Sequence, residues 1–376
     1  MEPKIIYYKD VDPAVWDGWV QKVGGSASYY HTWHWINYIS QFPEVRENAS
    51  FVLLDKNKEP VAVCPMALSF FDKENIAAIS FGHSPCGAPA LCDISAGTYR
   101  DTLDKILDIY QSYGNVHNAR QISFGWHPLN SLAMSGAGRL ANENSFGLLR
   151  YGLHYYVENT LVTDLSLSEE ALADNLGKYH YRHIKRGAKR GIAIRVFNSK
   201  NNFAETPEQF RQFQGAHLAA AGRQTRPQAT WDAMLDGIRA GHASLFIAFL
   251  RDTPISYLYC GEFFLMAFGW SQANVEKYEK EYSPRHLLEW EAMLFYKKNG
   301  FKFYEIGERF YGPQPFYIPT AKEISIGIFK ERYGGMLLPK IKWVGYFDRE
   351  YMEKQIQENS KKFLAESPLF KIPENA

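Results

Sequence analysis

SPRHLLEWEAMLFYKKNG at Ser283 to Gly300, followed without a break by FKFYEI at Phe301 to Ile306, decides the fold. Ser283 suits an N-cap, Pro284 the first helical turn and Gly300 the place just past the end, so the stretch reads as a helix punctuated at both termini. Leu287, Leu288, Met293, Leu294 and Phe295 form an apolar set able to face a sheet, and the aromatic run after Gly300 supplies a strand of that sheet. Upstream, SLFIAFLRDTPISYLYC at Ser244 to Cys260 sets two apolar runs around a polar turn with Pro254, and FFLMAFGWS follows from Phe263. The order is three antiparallel strands, a helix and a further strand.

The first part of the chain carries the same plan. FVLLDKNKEPVAVCPMAL at Phe51 to Leu68 reads as a hairpin, YRDTLDKILDIYQSYG at Tyr99 to Gly114 as an amphipathic helix ended by its glycine, and QISFGW at Gln121 to Trp126 as a strand. HTWHWINYI at His31 to Ile39 reads as an amphipathic helix start with buried tryptophans. The repetition lies in pattern and not in residue identity. The expected domains are residues 1–162 and 163–346, with 347–376 a charged helical tail. Ser166 and Glu169 have capping-box spacing and open a long predicted helix towards Arg190. Further helices are expected around Pro207 to Ala220 and Thr230 to Ala240. The fold class is α/β (α+β), with mixed, mostly antiparallel sheets flanked by helices.

Lys and Arg total 42 against 41 Asp and Glu, so no global field draws DNA or an anionic membrane, and any polyanion site must be local. No apolar stretch is long enough to span a bilayer, and the charged N-terminus lacks a signal-peptide core. Four cysteines without CxxC spacing argue against a disulfide framework and for a reducing, cytoplasmic setting. No HExxH or supported histidine cluster appears, so no metal is expected. Neither GxSxG nor a Cys–His pairing is present, and Cys86 in HSPCGAP reads as packing.

LLEWEAMLFYKKNGFKFYEIGE at Leu287 to Glu308, ISIGIFKERYGG at Ile324 to Gly335 and the basic segment KYHYRHIKRGAKRGIAIRVF at Lys178 to Phe197 resemble the FemABX and BioF2-like branch of the GNAT acyltransferase superfamily. The resemblance covers the last 180 or so residues well and the first 160 by general plan. It implies two tandem GNAT-like folds with a cleft between them, and transfer of an acyl or aminoacyl group onto an amine. The glycine-rich phosphate loop of acetyl-CoA-binding GNAT domains is replaced here by KYEKEYSPRHLL, and no long helical arm of the kind some FemABX aminoacyltransferases carry is visible. The expected donor is an acyl-CoA co-substrate, with charged tRNA the alternative. The expected acceptor is a phosphorylated amine of a cell-envelope precursor, such as a nucleotide-linked amino sugar or a muropeptide. A non-catalytic glycan- or nucleotide-binding module is the rival from another class.

Amide formation needs a neutral amine held close, a donor for the developing oxyanion and a route for a proton to leave, with no protein nucleophile. Whichever of Glu305 and Glu308 faces the cleft is the candidate for orienting or deprotonating the amine, and the resemblance favours Glu305. It assigns Lys330 to a phosphate or a developing negative charge. Strand alternation sets Glu305 and Gly307 on one face, Ile306 and Glu308 on the other. Lys178, Arg182 and Lys185 share a helical face with Arg186 alongside, either a phosphate-binding strip or a solvated basic surface. Arg223 and Arg226, in a loop between helices, are candidate anion clamps. Ser283, Arg285 and His286 at a helix N-terminus offer outward backbone donors. Trp270 with Gln272, and Tyr311, are candidate substrate edges whose bland alternative is packing.

Overall fold

The computed structural model describes residues 4–24, 27–71, 76–81, 87–92, 96–128 and 147–367. Cys86 lies outside the described residues. The helices are α1 (Pro13–Val23), α2 (Trp33–Ser40), α3 (Ala96–Val116), α4 (Glu169–Asp174), α5 (Lys178–Lys189), α6 (Thr206–Ala221), α7 (Gln228–Arg239), α8 (Glu276–Tyr282), α9 (Pro284–Lys298), α10 (Ala321–Glu331) and α11 (Arg349–Glu366). The strands are β1 (Lys4–Tyr7), β2 (Val45–Asn48), β3 (Phe51–Leu54), β4 (Pro60–Cys64), β5 (Ala67–Phe71), β6 (Ile76–Ile79), β7 (Ala90–Leu91), β8 (Gln121–Trp126), β9 (His154–Asp164), β10 (Ile192–Phe197), β11 (Ala243–Leu250), β12 (Thr253–Phe263), β13 (Met266–Asn274), β14 (Phe303–Glu308) and β15 (Met336–Tyr346).

Two compact units emerge, and they are interleaved in sequence where contiguous domains were expected. One comprises Met1–Glu158, Tyr311–Thr320 and Pro339–Ala376; the other comprises Asn159–Phe310 and Ala321–Leu338. In the first, β3 pairs antiparallel with β4 as the hairpin reading requires, with β1 and β7 at the edges. Its other strands run β15-β8-β6-β5-β2. Gly114 does not end its helix: it lies inside α3, where a Cβ would stand 2.8 Å from the Phe347 ring, so a close approach and not a stop requires the glycine. The tail helix α11 belongs to this unit, capped by the Asp348 carboxylate, which also pairs with Arg120.

In the second unit the strands run β10-β11-β12-β13-β14-β9. β10 to β13 are successive antiparallel neighbours, and β11, β12 and β13 are the three strands that the apolar runs and turns predict. α9 lies against this sheet with Leu287, Leu288, Ala292, Met293 and Tyr296 in a core that includes Phe246, Leu258, Ala267 and Tyr304. Each large apolar side chain buried there contributes about 1.5–3 kcal/mol. Leu294 and Phe295 sit at the margin, only partly buried.

The predicted long helix from Ser166 is two helices, α4 and α5. The chain turns between them because the Gly177 N–H donates to the Arg332 carbonyl at 2.8 Å, a tertiary partner invisible to local pattern. The N-cap is Ser168, whose hydroxyl accepts from Ala171 N–H, while the Ser166 hydroxyl goes to Asp164.

Parallel β13 and β14 pair only over Met266↔Phe303, Ala267↔Tyr304 and Phe268↔Glu305. Immediately beyond, Cys260 opposes Gly269 while Tyr259 opposes Ser271, leaving Trp270 extra; on the other side Glu305 opposes Val162 while Gly307 opposes Leu161, leaving Ile306 extra. A bulge bends the strand that carries it, and with one in each, β13 and β14 diverge.

Candidate functional site

A cavity of about 550 Å³ occupies the divergence. Gly269, Trp270, Ser271 and Gln272 line it from β13, Ile306 from β14, Arg285 and Glu289 from α9, and Lys330 and Phe329 from α10, followed by Arg332 and Tyr333. Its size suits the reacting ends of two substrates. Trp270, Gln272, Arg285 and Lys330 are thus brought together as sequence-level candidates. Glu289 was not among them.

Glu289 is 7% exposed, on the apolar stripe of α9 between Leu288 and Ala292. The Tyr304 hydroxyl donates to its Oε1 at 2.7 Å. Burial pushes its carboxyl up to about 6, with the Tyr304 hydrogen bond and the Lys330 charge pulling the other way. A carboxylate poised near neutrality in a cavity has the property a general base needs. Gly269 leaves room for this arrangement: a Cβ there would stand 2.9 Å from the Tyr304 hydroxyl and 3.2 Å from Glu289 Oε1.

Lys330 lies across from Glu289 at the end of α10, its Nζ 3.7 Å from Glu308 Oε2. It runs directly over Gly307, whose φ is +118° and where a Cβ would stand 2.2 Å from Nζ. Glu308 therefore enters the site through Lys330, and Glu305 does not line the cavity. Glu305 is buried and accepts from the Thr160 hydroxyl at 2.7 Å. The Ile306 bulge replaces the strict alternation expected along β14.

At the N-terminus of α9, Ser283 has a left-handed φ of 48° and its hydroxyl caps no backbone group of that helix. It contacts His183 Nδ1 at 2.9 Å and donates to the Glu279 carbonyl. His183 stacks on His286 with ring centres 4.8 Å apart, and His286 meets His180 at 4.7 Å. Burial and then Arg332 lower His180 to about 4, and burial and then His180 and Arg285 lower His286 to about 3. These rings are neutral near pH 7, and Arg285 and Arg332 are the arginines that line the cavity at this end. The Arg285 guanidinium covers the Phe329 ring at 4.0 Å and contacts Glu279 at 2.8 Å.

The remaining candidates lie elsewhere. Lys178, Arg182, Lys185 and Arg186 are exposed along α5, whose Tyr179 reaches the cavity wall. Among the described residues, Lys178, Arg182, Arg186 and Lys189 have no carboxylate partner. Arg226 lies over Trp231 and donates to Ser271 Oγ at 3.3 Å, bracing the cavity wall from behind, whereas Arg223 is exposed. Tyr311 is exposed in the first unit.

Residues 176–316 match the family model described as acetyltransferase (GNAT) domain. Among solved structures the chain is similar to FemX, with a TM-score of 0.67 and 12% identity over 94% of this chain and 100% of that one. It is also similar to L-PGS from Bacillus licheniformis (TM-score 0.58, 9% identity, 94% and 97% covered). A third likeness is to a tandem GNAT protein from the clavulanic acid biosynthesis pathway (TM-score 0.51, 10% identity, 92% and 98% covered). No curated protein matches the chain. At such identities the structural likeness is one of fold, a tandem GNAT-like α/β architecture.

Proposed function

We propose that this GNAT acyltransferase moves an acyl group from an acyl-CoA onto an amine in the cavity between β13 and β14, with Glu289 as the base. The observation that carries the reading is the buried Glu289 carboxylate, raised to about 6, in a cavity it shares with Lys330, Arg285 and Arg332. The acceptor enters as an ammonium. Glu289 takes one proton from it, the freed amine attacks the thioester carbonyl, the N–C bond forms, the C–S bond breaks, and the second amine proton goes to the leaving thiolate. The Lys330 ammonium faces the developing oxyanion, worth most where water is excluded. Arg285 and Arg332, beside the first turn of α9, bind the anionic part of a substrate. Such a cation set suits a phosphorylated amine of a cell-envelope precursor, for example a nucleotide-linked amino sugar, met in the cytoplasm.

Thermal melts with acetyl-CoA, longer acyl-CoAs, a UDP-linked amino sugar and charged tRNA test this. A ligand at a hundredfold excess over its Kd stabilises the native state by about 2.7 kcal/mol. An acyl-CoA and the amino sugar are expected to raise the Tm, and Arg285→Ala to abolish the amino sugar's effect. Silence from every acyl-CoA would remove the reading.

The unpartnered cations of α5 favour a second reading, in which charged tRNA is the donor. Replacing Arg182 and Lys189 by Ala would then flatten the dependence of log K on log salt by about one unit per removed charge. A slope that does not change on substitution counts against tRNA contact along this helix.

A further inference from the structure

Acyl transfer to an ammonium releases one net proton, since the amide keeps one of the three N–H hydrogens and the leaving thiol takes another. With substrates in the cavity, water has little access to Glu289, itself 7% exposed. Behind it lies a chain of buried groups that the mechanism above does not use. Tyr304 donates to Glu289 at 2.7 Å, and the Tyr304 oxygen is 3.7 Å from Cys260 Sγ. Tyr296 is the thiol's other hydroxyl neighbour, and it and Tyr304 offset part of the rise that burial gives the thiol. Tyr296 donates at 2.9 Å to Oε1 of Glu262, which also accepts from Ser244. Glu262 is partly exposed and feels the Lys200 charge. Cys260, Tyr296 and Tyr304 are themselves fully buried.

We infer that Glu289, Tyr304, Cys260, Tyr296 and Glu262 form a proton relay that carries the net proton of acyl transfer from the cavity to Glu262, near the end of β12. The inference rests on Glu289 being the base. The protonated Glu289 gives its proton to the Tyr304 oxygen as the Tyr304 hydroxyl gives its own to Cys260 Sγ. The Cys260 proton passes to the Tyr296 oxygen and the Tyr296 proton to Glu262, which releases it to water. Every group but the two ends finishes neutral, so no charge is left in the core, where it would be costly. A sulfur in the middle is the natural slow point, because a thiol is a weak donor and acceptor. Raised affinities for protons at both carboxylates, each set first by burial, match them as the two termini.

The charged and titratable groups around Glu289 are Tyr304 from β14, Cys260 from β12, Lys330 from α10, Arg332 and Tyr333 beyond it, Tyr179 from α5, and Arg285 on its own helix. A connected relay makes the Cys260 thiol sense Glu289. Its S–H stretch lies in an infrared window free of other protein bands, and Cys260→Ser assigns it. In the full chain without substrate, the band is expected to shift as Glu289 titrates, and to stay fixed in Glu289→Gln and in Tyr304→Phe. A band that does not move with pH in the unmodified protein overturns the relay.

In turnover with acetyl-CoA and a UDP-linked amino sugar, Cys260→Ala is expected to lower kcat about tenfold, less than the roughly 10²- to 10⁴-fold of losing the base itself, with KM unchanged and a larger solvent deuterium effect. Cys260→Ser restores most of the rate. Tyr296→Phe, which leaves the cavity untouched, lowers kcat alike, and the double variant is no slower than either single one. Unchanged kcat in both Cys260→Ala and Tyr296→Phe overturns the relay while leaving the base in place. Full activity in Glu289→Gln instead removes the base reading itself.

Discussion

Replacing Glu289 by Gln is expected to lower kcat/KM for amide formation by about 10²- to 10⁴-fold, the range for losing a positioned base, while making the folded protein more stable at neutral pH. The two effects share one cause. Burial raises the carboxyl from 4.5 to about 6 in the folded state. A folded value above the unfolded one means the native state holds a proton more tightly, so ionising Glu289 costs stability. That cost is absent below about pH 4.5, grows through the interval and is complete above about pH 6. A difference of about 1.5 pKa units at 1.36 kcal/mol each amounts to about 2 kcal/mol at pH 7. Gln keeps an oxygen for the Tyr304 hydroxyl and is never charged, so it removes the cost. Denaturant melts at pH 7 and pH 4 check this, with the gain confined to the higher pH. Rates in the unmodified enzyme should rise with pH through a midpoint near 6, and that limb should disappear in Glu289→Gln. A variant both inactive and less stable would point to lost packing.

Gly307→Ala is expected to cost about 1–3 kcal/mol from its φ alone, and to cut activity about as far as Lys330→Ala does. Gly307 adopts φ +118°, and an added Cβ would stand 2.2 Å from Lys330 Nζ. The ammonium must move away from Glu308 and from its place opposite Glu289. Because the clash needs both partners, Gly307→Ala combined with Lys330→Ala should be less destabilised than the sum of the two. Urea midpoints for the four members of this cycle test it. Strict additivity would mean that Lys330 swings aside at no cost, and that the glycine serves the backbone alone.

Much of the second unit could be read from local pattern. The hairpin around Pro254, the strand from Phe263 and the helix after Ser283 stand close to where period and punctuation put them, because turn chemistry and apolar spacing act over a few residues. The break before α5 and the glycine inside α3 were missed for the opposite reason: both answer to distant partners, Arg332 and Phe347. The site divides in the same way. Lys330, Arg285, Trp270 and Gln272 were singled out, and the structure gathers them around one cavity. Glu289 escaped because a charge in an amphipathic helix reads as the solvent face. The available signal was its position, one residue after Leu288 and three before Ala292 on the stripe that had to be buried. Glu305 was favoured by resemblance, but alternation cannot register a bulge at Ile306, and the divergence of two parallel strands leaves no mark in either one's sequence.

The pairing of β8 with β15 sets the order in which the protein can be finished. β8 is complete by Trp126, yet its antiparallel partner spans Ile341 to Tyr346. At about 5–20 residues per second, roughly 10 to 40 seconds separate the synthesis of the two on the ribosome. Through that interval the emerging N-terminal segment has one side of a strand unsatisfied, an aggregation-prone edge. The unit begun first is completed last. The other unit, whose final segment ends at Leu338, has all of its residues made before the first is whole.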